Sequence, residues 1–313
     1  MGYFIIETVV ICWQSITAGR LAATNYVLME KNMQANLEQY VKQKEYLICV
    51  DSDGCAMDTM DIKHIRCFGP CMVEEWELSE WKDTILKRWN DMNLYTMTRG
   101  INRFKGLAMA LKEINDTYKK IEGVEVLDAW VENSDELSNP ALKRAIEKDD
   151  NICLKKALSW SEKVNESINN DLTFDEKKPF KGVKEALEYA HRYADIAIVS
   201  SANLQAVKEE WELYGLLDHV DILLAQNVGS KAFCIQELLK KGYDMDKTMM
   251  TGDALGDYEA AKKNGVFYYP IRVRYEKDSW EEFKAEAVSR LISGSYAGEY
   301  QKKQIDAFMD NLK

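Results

Sequence analysis

Residues 46–59 read YLICVDSDGCAMDT. The first five are apolar and favour extended structure, a pattern typical of a buried strand in a parallel sheet. The run ends at Asp51 and Asp53, two carboxylates separated by one residue, and Gly54 lets the chain turn away. Ligands of open α/β sheets bind beyond the carboxyl ends of the strands. The stretch therefore predicts two acids at a ligand-binding edge, with a solvated Asp-rich turn as the alternative.

An alternation of strand and helix returns at Pro179 and continues almost to the end of the chain. Strands are predicted at DIAIVSS (195–201), VDILLA (220–225), KTMMTGD (247–253) and VFYYPIRV (266–273), with helical segments between them. Repeated βα units with short connections imply a parallel sheet with helices on both faces. A strand at 46–50 has no partner of its own, so it belongs to the same sheet. The predicted fold is α/β, with a Rossmann-like, doubly wound parallel sheet.

Residues 61–178 have a different character, with apolar residues at helical spacing and few β-rich runs. They predict a mainly α-helical domain inserted after the first strand, and core segments 46–60 and 179–313 enclose it. Residues 1–45 form an N-terminal extension, in which 29–45 predict a helix and 1–28 carry no clear signal. Tryptophans 76, 81, 89 and 130 are either a helical core or a stacking surface, and burial favours the core.

Composition excludes several classes of protein. A net charge of −11 argues against nucleic acid or an anionic membrane as partner, because both need clustered Lys and Arg. The seven scattered cysteines form no CxxC pair, which argues against a disulfide framework or a zinc site and favours a reducing cytoplasm. The apolar run near the N-terminus contains Glu7 and is too short for a membrane span. Oligomeric state is not legible from the sequence.

Further polar residues stand where predicted strands end. Ser200, with Ser201 as the register alternative, follows an apolar strand, where a hydroxyl and backbone N–H groups can hold a phosphate oxygen, or where the serine is a helix cap. Lys231 begins a helix, a position at which the helix dipole opposes a cation, so a functional role competes with a solvated surface position.

Two more carboxylates lie in TGDALGDYEAAKKNGV, residues 251–266. Asp253 ends a predicted strand, and Asp257 is four residues further on, near the start of a helix, where unpaired N–H groups favour a carboxylate. Either acid alone is compatible with a simple helix cap.

Taken together, these segments resemble the haloacid dehalogenase superfamily of phosphohydrolases. The first motif, hhhhDxDGxxxDT, is matched at Asp51, Asp53, Gly54, Asp58 and Thr59, and the fourth, GDxxxD, at Gly252, Asp253 and Asp257. The layout is similar to members with a helical cap between motifs one and two, such as phosphoglycolate phosphatases and β-phosphoglucomutase. Ala232 departs from the Pro or Gly that often follows the motif-three lysine. The resemblance covers residues 46–60 and roughly 179–270.

The resemblance implies an Mg²⁺-dependent phosphatase that acts on a small phosphomonoester through an aspartyl-phosphate. Asp51 would be the nucleophile, and Asp53 the acid and base, a role for which we expect a raised pKa. Mg²⁺ would be held by Asp51, the Asp53 backbone carbonyl and Asp253, with Asp257 as a further ligand or its support. Ser200, or Ser201, and Lys231 would bind the phosphate.

Cations in the predicted cap are candidates for contact with an anionic substrate, although a solvated helix face is the plainer interpretation. They are Lys63, His64, Arg66, Arg99, Arg103 and Lys105. Three alternatives remain: a phosphomutase or phosphotransferase using the same aspartates, a phosphonate hydrolase with a Schiff-base lysine in the cap, and a non-catalytic binding module.

Overall fold

The computed structural model describes residues 37–313, and its centre is a five-stranded parallel sheet. The strands occur in the order β3-β2-β1-β4-β5, and every neighbouring pair is parallel. They are β1 (Tyr46–Val50), β2 (Ala194–Val199), β3 (Ile222–Leu224), β4 (Thr248–Gly252) and β5 (Phe267–Pro270). The predicted α/β fold is confirmed, and the first strand has the predicted bounds.

Strand β1 is the middle strand and is buried on both faces. Its alternate residues point to opposite sides: Ile48 and Val50 join one apolar cluster, and Leu47 and Cys49 join another. The two clusters lie beneath helices on the two faces of the sheet, as the period of two in a strand requires. This is why the segment is continuously apolar instead of alternating.

Between β1 and β2 the chain is helical and has an apolar core of its own. The helices are Met60–Lys63, Gly69–Glu75, Lys82–Leu94, Arg103–Thr117, Val124–Asn133, Asn139–Lys148 and Ile152–Asp171, with a π-helical turn at His64–Phe68. Trp76 and Trp89 are buried in this core, and Trp81 and Trp130 pack against it. The interpretation of these tryptophans as core residues is confirmed. We call this helical insertion the cap.

Helices also connect the strands of the sheet and complete the C-terminal part. They are Val183–His191, Leu204–Leu213, Lys231–Leu239, Leu255–Asn264, Glu276–Glu282, Val288–Ile292 and Glu299–Asn311, with a π-helical turn at Phe283–Ala287. Within residues 37–313, no helix combines the length and the apolar character needed to cross a membrane.

The helix predicted over 29–45 is wrong beyond residue 39. Residues 37–39 are helical, but 40–45 are not. The backbone N–H groups of Gln43 and Lys44 donate to the buried Asp195 carboxylate at 2.8 and 2.9 Å, so they are unavailable for helical bonds. Residues 1–28 and the first part of this predicted helix lie outside the described residues.

Candidate active site

The parallel sheet brings its strand ends together at one edge. Asp51 follows β1 and Asp253 follows β4, and the two strands pair directly, with the Asp51 N–H donating to the Thr251 carbonyl at 3.0 Å. Ser200 follows β2, the other neighbour of β1. All three are buried. Their placement follows from strand register, because parallel strands present their carboxyl ends on the same side.

Three carboxylates form a compact buried cluster at this edge. One oxygen each of Asp51, Asp253 and Asp257 lies within 4.8 Å of the others. The Lys231 ammonium bridges two of them, at 2.7 Å from Asp51 Oδ2 and 2.6 Å from Asp257 Oδ1. Gly252 makes the arrangement possible, since a Cβ there would lie 2.2 Å from the Asp257 Cγ.

Burial destabilises the ionised forms of the acids in this cluster. Burial raises the pKa of Asp51 well above its usual value, against the opposing effect of Lys231. It raises the pKa of Asp253 to about 6, although Arg99 and Lys231 act in the opposite direction. For Lys231, burial would lower the pKa, but Asp257 and Asp51 outweigh it and the pKa rises. A further cation would stabilise the ionised acids.

The donor set fits a divalent metal such as Mg²⁺. Asp253 Oδ1 is buried and has no hydrogen-bond partner in the described structure, and it belongs to a group of carboxylates close enough to share one ion. Hard oxygen ligands are those that Mg²⁺ prefers. Both Asp257 oxygens have partners, since Oδ1 contacts Lys231 and Oδ2 accepts from the Ala254 N–H at 3.1 Å. Of the two roles left open for Asp257, this geometry favours support.

The Asp53 side chain is paired with a lysine of the cap. Its Oδ1 accepts from the Thr59 hydroxyl at 2.6 Å and from the Lys63 ammonium at 2.8 Å. Burial would raise the pKa of Asp53, but Lys63 and Thr59 outweigh it, so the pKa lies below its usual value. The expectation of a raised pKa for Asp53 is therefore wrong, because a cap lysine stands beside the acid.

Glu210 was not predicted from the sequence as a site residue. It lies on helix Leu204–Leu213, and its Oε1 is 3.6 Å from the Lys63 ammonium. It is 4% exposed, and among residues 37–313 its Oε2 has no hydrogen-bond partner. Burial raises the pKa of Glu210 to about 7 in spite of Lys63. The sequence did contain a signal for its burial. Glu210 lies three residues after Val207, so at helical spacing it falls on the apolar face that also carries Trp211.

Arg99 is also buried, which contradicts the solvated helix face considered for it. It lies in the loop between helices Lys82–Leu94 and Arg103–Thr117, with 1% of its surface exposed. Its Nε donates to Asp253 Oδ2 at 2.7 Å, and its Nη1 donates to the Leu94 carbonyl at 2.6 Å. A cap arginine thus contacts a candidate metal ligand of the core.

Two further cap residues predicted as candidates for substrate contact, His64 and Arg103, pack on an aromatic ring. The His64 ring stacks on Phe68 with centroids 4.6 Å apart, and burial together with Arg99 and Arg103 lowers the pKa of His64 to about 3. The Arg103 guanidinium lies 5.0 Å from the centre of the Phe68 ring and donates to Asn165 Oδ1 at 2.8 Å. Burial lowers the pKa of Arg103 to about 10.

The remaining candidates differ in their surroundings. Arg66 and Lys105 are exposed, and Arg66 forms an ion pair with Glu176. Ser201 is exposed, whereas Ser200 is buried and its Oγ accepts from the Ala202 N–H at 3.1 Å. Between the two register alternatives, burial at the strand end favours Ser200.

Solved structures with a similar fold include three haloacid dehalogenase-like proteins. A hydrolase from Streptococcus pneumoniae is 12% identical with a TM-score of 0.42, and the alignment covers 77% of this chain and 91% of that one. A family hydrolase from Xanthomonas campestris is 12% identical with a TM-score of 0.41, covering 80% and 97%. A phosphatase from Thermococcus onnurineus is 14% identical with a TM-score of 0.38, covering 72% and 86%.

The family model for haloacid dehalogenase-like hydrolases matches residues 111–270, just over half of the chain. That segment contains Ser200, Lys231, Asp253 and Asp257, whereas Asp51 and Asp53 precede it. No curated protein matches the chain in sequence. With its parallel sheet and helical insertion, the chain belongs to the haloacid dehalogenase-like hydrolase family.

Proposed function

We propose that the protein is an Mg²⁺-dependent phosphatase that hydrolyses small phosphomonoesters through an aspartyl-phosphate on Asp51. The observation that carries the proposal is the contact of Lys231 with both Asp51 and Asp257, beside Asp253 and its unpartnered oxygen. A buried carboxylate held by a lysine at a strand end is oriented for attack on a phosphoryl group that enters the same crevice.

Each residue has a defined task in this reaction. Asp51 attacks phosphorus, and Asp53 protonates the leaving oxygen and then takes a proton from the water that hydrolyses the intermediate. Ser200 and Lys231 hydrogen-bond the phosphoryl oxygens as charge develops on them. Bound Mg²⁺, held by Asp51 and Asp253, supplies Lewis-acid stabilisation of that charge.

The charges at the site favour binding of phosphate together with a metal. Four aspartates, at 51, 53, 253 and 257, are in contact with three cations, Lys63, Arg99 and Lys231. Two of those cations also contact a second acid at 3.6 Å, Glu210 for Lys63 and Asp61 for Arg99. The acids therefore outnumber the cations, which repels phosphate, and a bound Mg²⁺ would offset that repulsion. Activity should therefore depend strictly on the metal.

The contacts of Lys63 argue against the phosphonate hydrolase alternative at this position. Burial would lower the pKa of Lys63, but Asp53 and Glu210 outweigh it and raise the pKa. A Schiff-base lysine must lose its proton, which ion pairing opposes.

The test is release of inorganic phosphate from sugar phosphates, nucleotides and phosphoglycolate, with and without Mg²⁺. We expect metal-dependent release from at least one compound, lowered about a thousandfold or more in Asp51→Asn because the nucleophile is lost. Transfer of the phosphoryl group to a sugar without release would support the mutase alternative. Binding of these compounds with no turnover under any condition would support a binding module and refute the proposal.

A further inference from the structure

A cation supplied by the cap sits on a candidate metal ligand of the core. Arg99 donates through Nε to Asp253 Oδ2 at 2.7 Å and is almost fully buried, while Asp253 Oδ1 has no hydrogen-bond partner in the described structure. Arg99 therefore uses one oxygen of the carboxylate and leaves the other free. Both charges of this pair are removed from water, so their interaction is strong.

The absence of a side chain at Gly54 leaves room for Arg99. Gly54, in the loop after Asp53, has a φ of +81°, and a Cβ there would lie 2.5 Å from Asp253 Oδ2 and 2.7 Å from Arg99 Nη2. A side chain at Gly54 would push the two partners apart. The same glycine that turns the chain after the acids thus also makes room for the cap arginine.

Arg99 has a second acceptor close by. Its Nη1 lies 3.6 Å from Asp61 Oδ1, on the first helix of the cap, and the Asp61 side chain is 38% exposed. Asp61 also accepts from the Tyr95 hydroxyl at 2.8 Å, which holds it beside the Arg99 loop. A guanidinium displaced from Asp253 can therefore keep an ionic partner within the cap.

We propose that Arg99 is a positioning residue of the metal site that holds one oxygen of Asp253 and is repelled by Mg²⁺ bound to the other, so that metal binding weakens the contact between cap and core. This inference rests on the proposed function for the metal. Arg99 and Mg²⁺ are both attracted by the Asp253 carboxylate and repel each other across it. By linkage, each lowers the affinity of the site for the other by the same factor.

Removal of Arg99 has two opposite effects on the affinity of the site for Mg²⁺. Loss of its hydrogen bond frees the short Asp253 side chain, which weakens metal binding slightly. Loss of its positive charge removes repulsion of a divalent ion at a buried site, which strengthens binding more. Replacement of Arg99 by a neutral residue should therefore tighten Mg²⁺ binding, whereas lysine should preserve the wild-type affinity.

The experiment is Mg²⁺ titration by calorimetry of the full chain, wild type and variants, with circular dichroism to verify folding. We expect Arg99→Gln to bind Mg²⁺ at least tenfold more tightly, and Arg99→Lys to stay within about threefold of wild type. Arg88→Gln is the matched control, because Arg88 is a cap arginine in an exposed pair with Glu113. Equal or weaker Mg²⁺ binding by folded Arg99→Gln overturns the inference.

A second measurement needs no variant. Mg²⁺ should increase amide hydrogen exchange in the loop at 95–102 of the wild-type protein, because the metal releases Arg99 from the core. Unchanged or slower exchange contradicts the inference. If wild type hydrolyses phosphomonoesters with Mg²⁺ but these results fail, the phosphatase proposal stands alone. If wild type neither binds Mg²⁺ nor releases phosphate, both proposals fall.

Discussion

The core and the cap both supply charges to the site, but by different means. The core acids Asp51 and Asp253 follow directly on neighbouring strands, so backbone hydrogen bonds fix their positions. The cap supplies two cations, Lys63 and Arg99, which contact Asp53 and Asp253 from a helix and a loop. Sheet geometry thus sets the positions of the acids, whereas cap packing sets which cap cations meet them.

This difference separates two kinds of proposed functional residue. The acids at the strand ends stay adjacent as long as the sheet is folded, whatever the position of the cap. Contacts from the cap depend on its position and can change during a catalytic cycle. Substitutions on the two sides should therefore differ in kind as well as in size.

After loss of the nucleophile in Asp51→Asn, the largest effect is expected for Asp53→Asn. Loss of the proton donor should lower kcat at least a hundredfold for an alkyl phosphomonoester, with a smaller loss for p-nitrophenyl phosphate, whose leaving group needs little protonation. Steady-state kinetics with both substrates check this, with Asp91→Asn, an exposed acid of the cap, as control. Equal losses for the two substrates would contradict the assignment of Asp53 as the acid.

Next in size is the effect of Lys231→Met on stability. This change leaves buried Asp51 and Asp257 without their shared cation, so the free energy of unfolding should fall by about 3 kcal/mol. Mg²⁺ should restore part of the loss, because it stabilises the same carboxylates. Urea unfolding with and without Mg²⁺ measures both quantities, and a loss below about 1 kcal/mol would argue against a buried charge cluster.

The same substitution in the cap, Lys63→Met, should cost less, about 1 to 2 kcal/mol. Asp53 keeps its bond from Thr59 and is a quarter exposed, so water can solvate it. Glu210, whose pKa is about 7, can take up a proton when its cation is removed. Urea unfolding of the Lys63→Met and Lys231→Met variants in parallel compares the two losses of unfolding free energy. A larger loss for Lys63→Met would contradict the prediction.

The smallest effect is expected for Arg66→Gln. Arg66 pairs with Glu176 at the surface, where water and salt screen the interaction. The free energy of unfolding should change by about 0.5 kcal/mol or less, in a urea titration at low and high salt. A loss of unfolding free energy comparable to that of Lys63→Met would mean that Arg66 and Glu176 interact as strongly as a buried ion pair.

Much of the fold followed from local sequence. The apolar run before Asp51, the returning βα units and the helical periodicity of residues 61–178 predicted the sheet and its insertion. The helix predicted over 29–45 was wrong beyond residue 39, because bonds to Asp195 from a distant strand outweigh good helix formers. Propensity is a local quantity, and tertiary hydrogen bonds can override it.

The convergence of Asp51, Ser200 and Asp253 at one sheet edge could also be predicted, since each of them ends an apolar run. The pKa of Asp53 was predicted in the wrong direction because its neighbour Lys63 is ten residues away and approaches only through the cap helix. Arg99 resembled a surface residue in sequence, yet its partner Asp253 is 154 residues distant. Pairings across such separations leave no trace in local periodicity.

By itself, the sequence determined the strands, the edge at which the acids lie and the presence of a helical insertion. These features depend on hydrophobic periodicity and residue type, which are local properties of the sequence. Only the tertiary structure decided which charges meet: Lys231 with Asp51 and Asp257, Lys63 with Asp53 and Glu210, and Arg99 with Asp253. The physical reason is that charge interactions act through space and are strong only where burial excludes water, and burial is a property of the folded chain.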